Sequence, residues 1–265
     1  MPAKHTRNTW IQLLAVGLLV IAAAPAAVAD LTLSTTVRTD MHAGENHIYV
    51  VVFLKGPWMR REMHAEGALS EFFGETREII HRQTGVRYRL YVEDTSYSVD
   101  TVDGRLCGPE AIVDLRLLGR LQSGARGFAR SLDSTTTHLD CAVQGVEVAV
   151  TTSRSDDTRI TIWSCRDFDA LFGADGRGDL FCDSAAVPAR AFELFARQLA
   201  TQFKLSTMQQ DKFKSMIQGF PVVIESVSGP AGEPHTVTRI SLEGVGRDPL
   251  HDSLFVVPPD YRLIQ

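Results

Sequence analysis

The segment WMRREMH, residues 58–64, contains residue types that could bind an anion: two arginines, a glutamate and a tryptophan. If the segment is a β-strand, Trp58 and Arg60 lie on one face and Arg61 lies on the other. A planar guanidinium suits a carboxylate or a phosphate, so Trp58 and Arg60 are candidate contacts for the head group of an amphipathic ligand. The alternative is a solvent-exposed face on which arginine and glutamate form cross-strand ion pairs of small energy.

Two apolar segments could line the rest of such a site. The run VVVFL at residues 50–54 has no polar face, so this strand is either covered on both sides or turns one face into an apolar cavity. Pro188 opens a predicted helix in which large apolar residues recur at spacings of three and four, ending at Phe203. We predict that the strand and the helical stripe face each other and that an apolar ligand contacts Val52, Leu54, Phe192, Phe195 and Leu199. The alternative is a filled core without a cavity.

Motifs of common enzymes are absent from the sequence. It contains no GxSxG, HExxH, GxxxxGK[ST] or GxGxxG pattern, so we predict no enzymatic activity and no cofactor. A hydrolase without a recognisable motif is the remaining enzymatic alternative. Among the histidines only His42 and His47 are close in sequence, and two ligands leave a metal coordination shell unfinished, so we predict no metal site.

The elements that must position these residues are mostly short strands. Six β-prone runs separated by turn residues follow one another between residues 31 and 102, which predicts an antiparallel meander. In VRYRLYV, residues 86–92, apolar residues and arginines alternate as in a strand with one face in a core. The stretch 103–187 is predicted to be an irregular insertion, with strands at GVEVAVTT and TRITIWSC. Ser206 and Gln209 form a capping-box signal for a second helix, and two more strands follow it. The predicted class is α+β.

The first 29 residues indicate export. Lys4 and Arg7 precede an apolar run that ends in small residues, the pattern of a secretory signal peptide cleaved before Asp30. We therefore predict a periplasmic or secreted protein with a single domain at residues 30–265 and at most peripheral membrane contact. Removal of residues 1–29 takes two basic residues and no acidic one, which changes the formal charge from −5 to −7. This charge argues against nucleic acid as a partner.

The four cysteines fall in the exported part of the chain, where disulfides persist. Two bridges are predicted, since no CxxC pattern favours a metal or redox site. We prefer Cys165 with Cys182, which closes a short loop, and Cys107 with Cys141 as its complement. Sequence alone leaves the other pairings open.

Three blocks of the sequence carry a resemblance to a known group. They are the meander with KGPWMRRE and REIIHRQTGVRYRLYVEDTSYSV, the helical region followed by GFPVVIES, and the closing SLFVVPPDY. Together they resemble an uncharacterised family of exported bacterial proteins that is similar in fold to the periplasmic lipoprotein carrier and its outer-membrane receptor (LolA and LolB). The resemblance implies a curved antiparallel half-barrel whose concave apolar face is closed by helices. It also implies that the key arginine of the carrier corresponds to Arg60 or Arg61.

The function predicted from the sequence is transient binding of an apolar or lipid-like molecule in a half-barrel cavity, without catalysis. The alternative is a structural or interaction module of the cell envelope whose cavity is filled. The protein partner, if there is one, is not indicated by the sequence.

Overall fold

The computed structural model consists of one sheet of twelve strands. It describes residues 30–41, 44–102, 126–151, 156–165, 200–201, 205–217, 219–230 and 236–264. The strands are β1 (Leu31–Met41), β2 (Gly44–Lys55), β3 (Trp58–Glu66), β4 (Glu75–His81), β5 (Val86–Tyr91), β6 (Ser96–Thr101), β7 (Arg126–His138), β8 (Cys141–Thr151), β9 (Asp156–Cys165), β10 (Phe220–Pro230), β11 (Thr236–Gly246) and β12 (Arg262–Leu263).

Two antiparallel meanders join to make this sheet. β1 to β6 form the N-terminal half, as predicted, and β7 to β11 form the C-terminal half. The halves meet where β1 pairs with β11, for example with Val37 opposite Ile240. The short β12 adds to β6 in parallel, and every other pair is antiparallel. The order of strands runs from β12 at one edge to β7 at the other, so the sheet is open.

The sequence predicted a sheet whose concave face is covered by helices, and the described helices do not form such a cover. The described residues contain a four-residue helix α1 (Ser70–Phe73), a longer helix α2 (Thr207–Met216) and two 3₁₀ turns (Gly67–Leu69 and Asp252–Phe255). Covering helices are therefore not shown, because residues 188–199, which hold most of the predicted stripe, lie outside the described part. α2 packs its one buried residue, Phe213, into the core and contacts β7.

The predicted capping box of α2 does not form. Ser206 is the N-cap residue, but its side chain makes no capping hydrogen bond. The Gln209 side chain instead accepts a hydrogen bond from the backbone N–H of Ala129, at 3.5 Å. Ala129 lies in β7, the last strand of the sheet. The Gln209 side chain therefore accepts a hydrogen bond from an edge strand and not from a backbone N–H at the start of the helix.

The stretch predicted to be an irregular insertion contains three long strands. β7, β8 and β9 continue the sheet, and β7 in particular has no counterpart in the prediction, which placed strands only at GVEVAVTT and TRITIWSC in this stretch. β7 is irregular around residues 131–135, where its pairing with β8 shifts register. Such irregularities interrupt the alternation of apolar and polar residues by which a strand is recognised.

Both predicted disulfides are wrong. Cys141 and Cys165 form one bridge, with 6.2 Å between their Cα atoms, so neither can pair with Cys107 or Cys182. The physical reason is strand pairing: Cys141 begins β8, Cys165 ends β9, and Val143 lies directly opposite Cys165. The two cysteines are thus diagonal neighbours on adjacent strands, within the usual span of a disulfide. Cys107 and Cys182 lie outside the described residues.

Both faces of the N-terminal half of the sheet are covered by other parts of the chain, and each face is named after its cover. The main-core face carries Leu33, Val52, Leu54 and Met59, all fully buried in the larger apolar cluster. The tail face carries Ile79 and Leu90, which pack with Phe255 in a second, smaller cluster. Phe255 belongs to the C-terminal tail, residues 247–264, which we call the tail.

The tail explains why β2 has no polar face. Val50, Val52 and Leu54 point into the main core, while Phe53 points to the other side and packs against the second cluster. Of the two alternatives that the sequence left open, cover on both sides is the one found near the end of this strand. The cover on the second side is the tail.

Candidate functional site

The structure separates the residues that the sequence proposed as one site. Val52 and Leu54 lie on the main-core face, both fully buried. Trp58 and Arg60 lie on the tail face, where Trp58 packs in the second cluster and meets the His81 ring edge-on, with 4.6 Å between ring centroids. Trp58 and Arg60 thus do not share a surface with Val52 and Leu54. Phe192, Phe195 and Leu199, and Phe203 as well, lie outside the described residues.

Arg60 is held by the protein itself. Its Nη1 donates to the backbone carbonyl of Leu254 at 2.9 Å, and its Nε donates to the Glu62 carboxylate at 2.7 Å. The side chain is only 10% exposed. Arg60 is therefore neither the solvent-exposed residue nor the open head-group contact considered from the sequence, because its guanidinium anchors the tail to β3.

A second basic residue, Lys55, holds the start of the tail. Its Nζ lies 2.8 Å from an Asp252 carboxylate oxygen and 3.7 Å from one of Asp30. Asp30 in turn accepts a hydrogen bond from the backbone N–H of Leu250 at 2.7 Å. The hydrogen bond between Lys55 and Asp252 raises the pKa of the Lys55 ammonium and lowers the pKa of the Asp252 carboxyl.

The main-core face changes from apolar to charged along a row of residues that lie opposite one another on neighbouring strands. Leu33 of β1 faces Val52 of β2, Val52 faces Arg61 of β3, Arg61 faces Glu78 of β4, and Glu78 faces Arg89 of β5. In the adjacent row, Leu54, Met59 and Ile80 lead in the same way to Arg87 and Asp100. We call Arg61, Glu78, Arg87, Arg89 and Asp100 the arginine cluster.

Glu78 is the centre of the arginine cluster. Its side chain is 9% exposed, and one of its oxygens accepts a hydrogen bond from Arg61. The other oxygen lies 3.4 Å from Arg87 Nη1 and 3.6 Å from Arg89 Nε. Such a buried carboxylate is stabilised only because several cations and hydrogen bonds surround it.

Asp100 is the second carboxylate of the arginine cluster and is mainly the partner of Arg87. Arg87 donates to both of its oxygens, Nε at 2.7 Å and Nη2 at 2.5 Å. These hydrogen bonds lower the pKa of the Asp100 carboxyl. A bidentate pair of this kind has a fixed geometry, so Arg87 orients the cluster.

Tyr91 extends the polar part of this face. Its hydroxyl lies 3.4 Å from the Ser98 hydroxyl. Hydrogen bonds from Ser98 and from Arg89 stabilise the phenolate and lower the pKa of Tyr91. Tyr91 follows Arg89 by two residues in β5, so both side chains point to the same face.

An apolar hollow lies at the joint between the two halves, where β1 pairs with β11. It is lined by Thr35, Phe220, Pro221, Val222, Ile224, Ile240 and Leu242, and contains about 220 Å³ of space, counting the part open to solvent. β-bulges or register shifts occur at two of its borders, between Ser34 and Thr35 and between Pro221 and Val223. These irregularities locally bend the strands and leave the hollow between them.

The described residues contain no group of three or more His, Cys, Asp and Glu side chains placed to hold a metal ion. Within the same ranges, no helix has the length and the apolar character needed to cross a membrane.

Comparisons with known proteins give structural neighbours only. No family model matches the chain, and no curated protein does. PNGF-II aligns with a TM-score of 0.31 and 11% identity over 89% of this chain, which spans only 31% of PNGF-II. A LolA superfamily protein from Nitrosomonas europaea aligns with a TM-score of 0.30 and 10% identity, over 86% of this chain and 90% of that one.

A DUF1329 family protein from Desulfovibrio piger gives a TM-score of 0.29 and 9% identity, over 90% of this chain and 93% of that one. The LolA superfamily, which the sequence blocks were said to resemble in fold, is therefore represented among these neighbours.

Sequence reasoning missed the arginine cluster, although its signal was present. The alternation in VRYRLYV places Arg87, Arg89 and Tyr91 on one face, and the same period places Arg61 opposite Arg60. The prediction placed one face of β5 in a core and gave no role to the arginine face. With two cores, the apolar residues of β5 serve the tail face, and its arginines border the main core.

Proposed function

We propose that this protein is an exported, non-catalytic carrier that binds an apolar or lipid-like molecule on the main-core face. The observation that supports the proposal most directly is the row Leu33, Val52, Arg61, Glu78 and Arg89, in which a continuous apolar surface meets a charged rim. Binding sites for small molecules typically combine an apolar lining with a few convergent polar groups of this kind. Export rests on the sequence of residues 1–29, and N-terminal sequencing that finds Asp30 first would support it.

The hollow beside Leu242 is the proposed entry point for the apolar part. Its space is below the roughly 300–1,000 Å³ of typical ligand pockets even with the part open to solvent counted, so a whole ligand would not fit in the hollow as it stands. Phe192, Phe195 and Leu199 are proposed to line the remainder, as the helical spacing suggests.

The same small volume favours a second candidate function. Leu33, Val52 and Leu54 are fully buried, as expected of a filled core in a structural module of the envelope. The two candidates differ in one property, because only a carrier binds a free apolar molecule in its folded state.

Saturation binding of an uncharged fluorescent probe, the methyl ester of a fluorescent long-chain fatty acid, tests the carrier function. We expect saturable binding to the wild type and at least severalfold weaker binding to Leu242→Phe, which fills the hollow. Val99→Phe is the matched control, since Val99 is 47% exposed on a distant strand, and it should bind as the wild type does. Circular dichroism must show that both variants are folded, because overpacking can cost about 1–3 kcal/mol. A folded wild type without saturable binding would favour the structural module.

A further inference from the structure

We infer that the arginine cluster is a binding site for the anionic head group of the ligand, with Arg89 as the principal contact and Arg61 and the Tyr91 hydroxyl beside it. The expected chemical class is an amphiphile with a terminal carboxylate or phosphate. This inference rests on the proposed function for the apolar part of the ligand, but its polar part can be tested separately.

The arginine cluster carries more positive than negative groups. Among the described residues, the cluster combines three guanidinium groups, of Arg61, Arg87 and Arg89, with two carboxylates. A surplus positive charge beside an apolar face favours binding of an additional anion. The positive charge of the cluster is local, because the net charge of the whole chain is negative.

The three arginines of the cluster differ in their hydrogen bonding and in their exposure. Arg87 is engaged by Asp100 through two hydrogen bonds and also reaches Glu78. Arg89 lies 3.6 Å from Glu78 and 3.7 Å from Asp100, beyond good hydrogen-bonding distance, and its side chain is 36% exposed. Arg87 therefore positions the two carboxylates, whereas Arg89, which also hydrogen-bonds Tyr91, is the most exposed of the three arginine side chains and has five donors to share.

Arg89 lies within reach of a ligand on the apolar part of the main-core face. Neighbouring strands are spaced by roughly 4.8 Å, so the three steps from Val52 in β2 to Arg89 in β5 correspond to about 14 Å across the face. A ligand whose apolar chain lies along β1 and β2 can reach Arg89 with its head group. Arg60 cannot take this role, because it points to the tail face and donates to Leu254.

The test compares the fluorescent fatty acid with its methyl ester on the wild type, Arg89→Gln and Arg77→Gln. Arg77 is the matched control: it is 33% exposed, pairs with Glu75 and lies on the tail face of β4. We expect the wild type to bind the acid about tenfold more tightly than the ester, the size of one partly exposed charge-assisted hydrogen bond. Arg89→Gln should lose this preference without weakening ester binding, and Arg77→Gln should retain it.

A second measurement separates the head-group site from the carrier function. Inorganic phosphate, titrated calorimetrically, should bind weakly to the wild type and to Arg77→Gln but not to Arg89→Gln. Loss of phosphate binding in Arg89→Gln alone would support the anion site even if neither lipid probe bound and the carrier function failed. Equal affinity of the wild type for acid and ester, together with no phosphate binding, would overturn the anion site. Equal weakening of acid and ester binding by Arg89→Gln would also overturn the anion site. The same conclusion would follow if Arg89→Gln and Arg77→Gln had equal effects.

Discussion

The two halves of the sheet are stabilised differently beyond their shared main core. In the N-terminal half the tail packs on the second face and is anchored by Arg60 and Lys55. In the C-terminal half a covalent bond, Cys141 to Cys165, joins β8 to β9. The first half therefore depends on contacts with residues far away in the chain, whereas the second holds two neighbouring strands together locally.

The largest effect is expected from loss of the tail's apolar anchor. Phe255→Ala removes a side chain that is 7% exposed and packs with Ile79 and Leu90, so unfolding free energy should fall by about 3 kcal/mol. Chemical denaturation measures the change. The neighbouring Val256 is 59% exposed, and Val256→Ala should change stability by less than about 0.5 kcal/mol. Equal effects at the two positions would contradict the existence of a second core.

A comparable or slightly smaller effect is expected in the other half. Replacing Cys141 and Cys165 together by serine removes a bridge that spans 24 residues, which should lower the unfolding free energy by about 3 kcal/mol. Peptide mapping of the oxidised wild type should join Cys141 to Cys165. By elimination we expect Cys107 to join Cys182, and a peptide linking Cys165 to Cys182 would refute both assignments.

A smaller effect is expected from Arg60→Ala. The substitution leaves the Leu254 carbonyl and the Glu62 carboxylate without their donor, so stability should fall by about 2 kcal/mol. Binding of the fluorescent fatty acid should not change, because Arg60 lies on the tail face. The reverse result, unchanged stability with weaker binding of the acid, would show that Arg60 is the head-group contact after all.

Arg60 and Arg61 show why the candidate site could be predicted only in part. Alternation along the strand correctly placed the two on opposite faces. The sequence could not say which face borders the main core, because this depends on Leu254, which is 194 residues away from Arg60 in the chain. The same reasoning applies to β5, whose alternation was evident but whose arginine face was given no role.

By itself, the sequence determined the local elements: the strands of the N-terminal half, β8 to β11, a helix that begins after Ser206, and the alternation within strands such as β3 and β5. These follow from backbone geometry and from turn residues, which act over a few positions. Only the tertiary structure decided that β1 pairs with β11, that the tail forms a second core, and that Cys141 meets Cys165. Such pairings between distant segments depend on the sum of many weak contacts across the whole fold, and no short window of sequence contains that sum.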